Sequence, residues 1–193
     1  MKNILKNRKA LSTVVTTLII LVVSVLLAGV VTYFAINTVS TRVQEESLNL
    51  QYVHVWYSTA TGQGAEAAVK ITNTGGRDVV LDKIAVRGQT VQWGDIFIDG
   101  GDAAVTDLKY ATQTLGALGA TTLAAVAPMT GTFTVQTGPI VLKSATTIIL
   151  YMSSDTTSAP GSVTVNDVGL TIAMSIFTAQ ATYYKETNVN AVS

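Results

Sequence analysis

The sequence predicts an α+β protein, in which one long hydrophobic N-terminal helix is followed by an all-β domain. Residues 11–41 carry no charge and no proline. From about Leu48 the hydrophobic period changes from helical to alternating, which indicates strands. Short alternating runs then recur between turn-rich stretches to the end of the chain, with no amphipathic helix between them. This pattern is typical of a β-sandwich.

The helix is predicted over residues 11–50, and its length is informative. The uncharged residues 11–41 span roughly 46 Å at 1.5 Å per residue, whereas bilayer hydrocarbon is roughly 30 Å thick. Beyond that run, residues 33–50 keep a helical spacing of apolar positions. Arg42 lies three and four residues before Glu45 and Glu46, a spacing that fits either local support of the helix or an ion pair between subunits. From the residues alone two interpretations stay open: a membrane anchor, or a helix whose outer end packs against protein.

Charge is scarce and unevenly distributed. Only 12% of the 193 residues are charged, and the formal net charge is zero. The first ten residues hold four positive charges and no acid, so the other eight basic residues face all twelve acids and residues 11–193 carry −4. The basic start predicts a cytoplasmic N-terminus, and the acidic remainder argues against nucleic-acid binding.

Nine strands are predicted in the β-domain, which is assigned to residues 51–193 with the first strand beginning slightly earlier. They are Leu48–Tyr57, Ala67–Asn73, Val79–Arg87, Val91–Ile98, Thr132–Gln136, Ile140–Leu142, Thr146–Ser153, Ser162–Val165 and Val168–Tyr184. The second and third strands flank a glycine-containing turn, so they are predicted to pair as a hairpin. Residues 99–130, rich in Ala, Gly and Thr, are expected to form a long excursion at one edge. An immunoglobulin-like sandwich fits this pattern best.

The junction Arg8-Lys9-Ala10-Leu11-Ser12-Thr13 leads directly into the uncharged helix. It resembles the class III signal peptide of archaeal type IV pilins and archaellins, and the resemblance covers residues 6–50. The segment VKITNTGGRDVVLDKIAVRG is similar to a hairpin common in the β-domains of such pilins. The resemblance implies that a prepilin peptidase removes residues 1–10 by cutting between Ala10 and Leu11.

The resemblance also implies how the chain is used. The precursor would sit in the cytoplasmic (inner) membrane, and the mature subunit would enter an extracellular filament on the cell surface, a helical homopolymer of itself. An assembly ATPase and a membrane platform protein would be further partners. One face of the helix is expected in the filament core, namely Val14, Leu18, Leu21, Val25, Gly29, Tyr33 and Ile36.

Within the family, the residues favour one branch. Bacterial type IV pilins usually begin with Phe and carry Glu at the fifth mature position, where this chain has Leu11 and Val15. Ala10 also replaces the commoner Gly before the cut. The Thr/Val/Leu-rich helix is closer to adhesive pilins than to archaellins. The expected function is therefore a pilus subunit for surface adhesion. The alternatives are an archaellin of a motility filament and a non-polymerising, membrane-anchored surface β-domain.

The sequence gives no motif for catalysis or for a cofactor, so no enzyme is predicted. Cysteine is absent and His54 is the single histidine, which removes thiolate metal sites and most His-based sites. Four acids in the region 95–107 could ligate Ca²⁺, namely Asp95, Asp99, Asp102 and Asp107. Their spacing does not match an EF-hand loop, and a solvated turn is favoured. His54, Trp56 and Trp93 are expected to pack in the sandwich or at a subunit interface.

Overall fold

The computed structural model describes residues 2–43, 45–59, 64–99, 104–111, 122–123, 132–153 and 160–192. The chain divides into two compact units, Met1–Gln44 and Glu45–Ser193. The first unit is a single apolar helix and the second is all-β. The predicted α+β class is confirmed.

Helix α1 runs without interruption over Lys2–Val43. Its many β-branched residues are poor helix formers in water, but an apolar setting enforces the helix because backbone groups find no other hydrogen-bond partners there. The helix ends before the predicted residue 50. Leu48 and Leu50 instead bury their side chains on one face of the first strand, with Asn49 exposed between them.

The described part of the β-domain holds eleven strands. They are β1 (Leu48–Ser58), β2 (Ala65–Asn73), β3 (Val79–Val86), β4 (Gln89–Thr90), β5 (Ile96–Asp99), β6 (Thr122–Leu123), β7 (Phe133–Val135), β8 (Ile140–Leu142), β9 (Thr147–Ser153), β10 (Thr171–Thr178) and β11 (Thr182–Val192).

The strands form two sheets, and β11 belongs to both. Sheet A has the order β11-β1-β2-β9-β5-β7-β6, and sheet B has the order β4-β3-β10-β11, with β8 also paired to β3. The runs β1-β2-β9-β5 and β3-β10-β11 match the ABED and CFG sheets of an immunoglobulin sandwich. Strand β11 pairs antiparallel with β10 over Thr182–Asn188 and then parallel with β1 over Val189–Val192. The predicted immunoglobulin-like sandwich is therefore the observed fold.

The predicted hairpin of the second and third strands is wrong. Strand β2 lies between β1 and β9, whereas β3 pairs with β10, β4 and β8. The turn at residues 74–78 carries the chain from sheet A to sheet B. Val69 and Ile71 of β2 and Leu81 of β3 are fully buried in one core, so the two strands face each other across the sandwich.

Three other strand predictions differ from the structure. The predicted strand Ser162–Val165 is replaced by two 3₁₀ turns, Pro160–Ser162 and Val165–Asp167. The predicted strand Val168–Tyr184 is the hairpin of β10 and β11. In that hairpin, the Thr178 hydroxyl accepts a hydrogen bond from the Ala181 N–H at 3.0 Å and closes the turn. Within the predicted Val91–Ile98, a 3₁₀ turn at Trp93–Asp95 precedes β5.

The domain has two hydrophobic clusters. The larger fills the space between the sheets and includes Val55, Ile71, Leu81 and Met174. The smaller lies on the outer face of sheet A, where a sandwich would ordinarily present polar residues to water. A segment of the predicted excursion, residues 104–111, supplies the cover for this second cluster.

Candidate functional sites: the exposed helix and the covered face of sheet A

Among the described residues, α1 is the one helix long and apolar enough to cross a membrane. Its qualifying segment is Leu11–Thr41, with 31 residues, a mean hydropathy of 2.9 and no residue buried within the chain. The large apolar side chains are exposed by between 45% (Val22) and 71% (Phe34). A contiguous apolar surface of this size is not stable in water and requires lipid or another protein surface.

The seven helix residues predicted for a filament core lie three or four positions apart, so they form one continuous stripe along α1. All of them are exposed. Gly29 stands near the middle of the stripe, and a Cβ built there meets no atom within 4 Å. The stripe is therefore open to an incoming helix, and Gly29, which has no side chain, lies near its centre. Its role in a filament stays a prediction.

Five hydroxyl side chains of α1 bond back to the helix itself. Hydroxyls of Thr16, Ser24, Thr38 and Thr41 donate to the carbonyl four residues earlier, at 2.6–2.9 Å, and Thr17 donates to the Val14 carbonyl at 2.9 Å. A hydroxyl satisfied in this way does not need water. These residues can therefore enter lipid or a helix bundle without leaving an unpaired donor.

Ala10 and Leu11, the residues of the predicted peptidase site, lie within the same continuous helix. The predicted cut stays a prediction. Helix α1 ends at Val43, so Glu45 and Glu46 follow it. The Arg42 side chain lies outside the described residues, and its pairing with these acids stays a prediction. Glu46 accepts a short hydrogen bond from the Thr178 hydroxyl, which ties the start of the β-domain to the end of β10.

The Asn73-Thr74-Gly75 sequence resembles part of a pilin hairpin, but it does not close a hairpin between β2 and β3. It forms a turn that contacts residues 45–47. The Ser47 carbonyl accepts hydrogen bonds from the N–H groups of Thr74 (2.9 Å) and Gly75 (3.1 Å). A Cβ on Gly75 would lie 2.6 Å from the Glu45 carbonyl oxygen. The buried Asn73 amide donates to the carbonyls of Arg77 and Leu142 and so shapes the turn. The turn therefore holds the first residues of the β-domain in place.

A second site lies on the outer face of sheet A, beneath residues 104–111, hereafter the strap. The strap buries Val105, Leu108 and Ala111 against the sheet. The sheet contributes aromatic and aliphatic side chains, which are Trp56, Phe97, Phe133, Ile149 and Tyr151. Strand β2 also places Glu66 and Lys70 on this face, and both are buried although they are ionisable.

Several polar contacts hold the strap. The Lys70 ammonium donates to the Val105 carbonyl at 2.9 Å, and the Ala111 N–H donates to Glu66 Oε1 at 2.9 Å. The Tyr151 hydroxyl donates to the Lys109 carbonyl at 2.8 Å. At the exposed side, His54 Nε2 and Asp107 Oδ1 lie 2.9 Å apart. Both buried ionisable groups of β2 therefore bind the strap backbone.

The burial of Glu66 has an electrostatic consequence. Its side chain is 2% exposed, and desolvation raises the pKa of this carboxyl to about 8, against a smaller lowering by the Ala111 N–H. Burial is also the main cause that raises the pKa of the Tyr110 and Tyr151 phenols, with a further contribution from Glu66. At neutral pH the group beneath the strap is mainly a neutral carboxylic acid.

The aromatic residues predicted to pack do so. His54 stacks on Trp56, with ring centroids 5.1 Å apart, and Tyr110 of the strap meets Trp56 edge-on at 6.2 Å. Trp93 packs, partly buried, against the main core. Asp102 lies outside the described residues, and the described residues contain no group of three or more His, Cys, Asp or Glu able to hold a metal ion.

Sequence reasoning did not single out Glu66 and Lys70. The alternation in AEAAVKITN places both opposite Ala67 and Val69, and a polar residue on the outer face of a sandwich strand ordinarily faces water. Nothing in the sequence of β2 indicates that this face of the sheet is covered, because the strap comes from a segment 35 to 45 residues further along the chain.

The sequence matches no protein-family model, and it matches no curated protein at a significant level. What the fold defines is a class: an immunoglobulin-like β-domain that follows an N-terminal helix fit for membrane anchoring or for a signal sequence.

Proposed function

We propose that the chain is the structural subunit of an extracellular filament of the archaeal type IV pilus kind, which polymerises through α1 and serves surface adhesion. One observation carries the proposal. The chain joins a folded domain with a buried core to a 31-residue apolar helical segment that is exposed on every side. Such a helix requires a partner surface over its whole length.

The length and chemistry of the helix support a bundle of helices over a simple anchor. Spanning a bilayer needs about 20 residues, so this segment has about three turns more than a membrane uses. Its apolar residues occupy all azimuths, which suits a helix surrounded by neighbours. In assembly, subunits would exchange lipid contact for helix–helix contact, so the apolar surface would never meet water.

Several strands at the described margins of the sheets are short, which favours polymerisation through the helix over strand pairing. Strands β4 and β6 have two residues each, and β8 has three. Short edge strands are a common protection against edge-to-edge association. A repeating heterologous contact between helices gives an open helical array, as a filament requires.

The proposed processing follows from charge. Lys2, Lys6, Arg8 and Lys9 precede the predicted cut, and no charged residue follows until Arg42. Unpaired charges inside a helix bundle are costly, so their removal makes the helix suited to the filament core. The implied partners are a prepilin peptidase for the cut, an assembly ATPase and platform protein for export, and other copies of the chain.

The mass of the subunit in sheared filaments tests the proposal. We expect a mature protein that begins at Leu11. We also expect Ala10→Gly to keep cleavage and filaments, since the residue before the cut stays small, and Ala10→Leu to lose both. If the cell keeps Met1–Ala10 on the protein, the chain is a non-polymerising membrane-anchored surface protein.

A comparison of cells with and without filaments separates the pilus from an archaellum. Loss of adhesion to a solid surface with unchanged swimming supports a pilus subunit. Loss of swimming with unchanged adhesion identifies a motility filament and contradicts the adhesive function.

A further inference from the structure

The outer face of sheet A is hydrophobic and is closed by the strap. Trp56, Phe97, Phe133 and Tyr151 lie beneath it, and the strap adds Val105 and Leu108. No regular sheet pairing holds residues 105–111, which contain no strand or helix. The strap therefore stays in place through its apolar contacts and its polar contacts with the sheet.

One of these contacts is made by the buried carboxyl of Glu66, which can gain or lose a proton. Glu66 accepts the Ala111 N–H where the described part of the strap ends, and it lies between Trp56 on β1 and Ser153 on β9. The phenols of Tyr110 on the strap and Tyr151 on β9 interact electrostatically with Glu66, and both stay neutral because their pKa values are raised. The surroundings of the carboxyl thus favour its neutral form.

The remaining charged groups near the strap are engaged elsewhere. On the same strand, the Lys70 ammonium binds the Val105 carbonyl and lies 5.5 Å from the Tyr52 ring centroid. On the strap, Asp107 faces His54 near solvent and Lys109 is exposed. None of these charges contributes to the raised pKa of Glu66, which has burial as its main cause.

We propose that residues 104–111 form a releasable strap, which covers the aromatic face of sheet A while the Glu66 carboxyl is protonated and opens when that proton is lost. A buried carboxylate recovers its hydration if water reaches it, and lifting the strap is the local opening that admits water. The rest of the sandwich stays folded, because its main core lies on the opposite face of the sheet. This inference does not depend on how the chain assembles.

The direction of the pH effect follows from linkage. In the closed form the pKa of Glu66 is about 8, against an ordinary value of 4.5. The closed form binds the proton more tightly, so closure is fully stable below pH 4.5, weakens as the pH rises towards 8, and changes no further above it. In that window the opening equilibrium rises by up to about tenfold per pH unit.

Single cysteines provide a direct measurement, since the chain has none of its own. Ala67 and Ala68 are neighbours on β2, and both are 0% exposed. Ala68 lies under the strap, and Ala67 lies in the core between the sheets. In the full chain in detergent micelles, Ala68→Cys reports opening of the strap through its rate of reaction with a maleimide. Ala67→Cys reports unfolding of the sandwich, and the intrinsic pH dependence of thiol chemistry cancels in the ratio of the two rates.

We expect the ratio of the Ala68→Cys rate to the Ala67→Cys rate to rise by up to about tenfold per pH unit between pH 4.5 and about 8 and to level off above that. With Glu66→Gln, which keeps an acceptor for the Ala111 N–H but cannot ionise, the ratio should be independent of pH. Glu66→Leu should give a flat profile as well, whatever its effect on stability.

Three results would overturn the proposal. A ratio that stays flat in the wild-type background would show that the strap does not open. An equal rise in Glu66→Gln would assign the response to another group. A parallel increase of both rates would mean that the whole domain unfolds and the strap does not open by itself.

Discussion

Helix α1 and the β-domain use the same apolar residue types in opposite ways. Leu21 in the helix is 62% exposed, whereas Leu81 in β3 is completely buried. The β-domain completes its core within one chain, and the helix leaves its apolar surface to be covered by something outside the chain. The difference teaches that hydrophobicity alone does not indicate a core: the same side chains stabilise either a fold or an association.

Deleting residues 11–41 is expected to have the largest effect. The β-domain keeps both of its hydrophobic clusters, so it should remain folded, soluble and monomeric, while filaments disappear completely. Electron microscopy of cell surfaces and sedimentation of the purified fragment would check this. Filaments that persist without the helix would contradict its role as the core.

Two matched leucine variants test the comparison directly. Leu81→Ala should lower the free energy of unfolding of the β-domain by about 2–5 kcal/mol, because it leaves a cavity in the main core. Leu21→Ala should leave that free energy unchanged and weaken association of the full chain. Denaturant unfolding and sedimentation of both variants provide the measurements. Equal destabilisation by the two substitutions would mean that the helix belongs to the folded core.

Gly75→Ala is expected to have a smaller effect. The added Cβ would lie 2.6 Å from the Glu45 carbonyl oxygen and 2.8 Å from the Ser47 nitrogen, so the backbone has to move, at a cost of about 1–3 kcal/mol. Gly94→Ala is the control, since a Cβ there meets nothing within 4 Å. Thermal unfolding should separate the two. No difference would show that residues 45–47 are not held by the turn.

The smallest effect is expected at Gly29. Alanine should favour the helix itself by about 1 kcal/mol relative to glycine, and the isolated chain has room for it. Gly29→Leu has the same room in the isolated chain but should reduce association if a second helix packs closely there. Measurements of helicity in detergent and of assembly would sharpen the comparison. Unchanged assembly with Leu would remove Gly29 from the proposed contact.

The sequence predicted the parts of the fold that depend on local pattern. The uncharged run gave the helix, and alternation gave β1, β2, β3 and β9 to within a few residues. Which strands pair with each other was harder to predict, because a glycine-containing turn such as residues 74–78 can close a hairpin or carry the chain from one sheet to the other. The turn at Ala179–Gln180 was missed since it contains neither glycine nor proline.

The two candidate sites also differ in whether they depend on a local sequence pattern or on distant residues brought together by the fold. The helix stripe is a periodic pattern in one segment and could be read directly from the sequence. The covered face arises from β1, β2, β5, β7, β9 and the strap, and its chemistry depends on burial that only the assembled sheet supplies. The protonation of Glu66 could not be inferred from AEAAVKITN, because the desolvation that raises its pKa comes from distant residues.

The parallel pairing of β11 with β1 determines where the C-terminal end of the chain lies. Ser58 at the end of β1 pairs with Val192 at the end of β11, so the last strand finishes at the end of β1 opposite to Leu48. At about 3.3 Å per residue, β1 separates that point from the start of the domain by about 33 Å. A peptide placed directly after β11 would therefore leave the β-domain at the end away from Leu48.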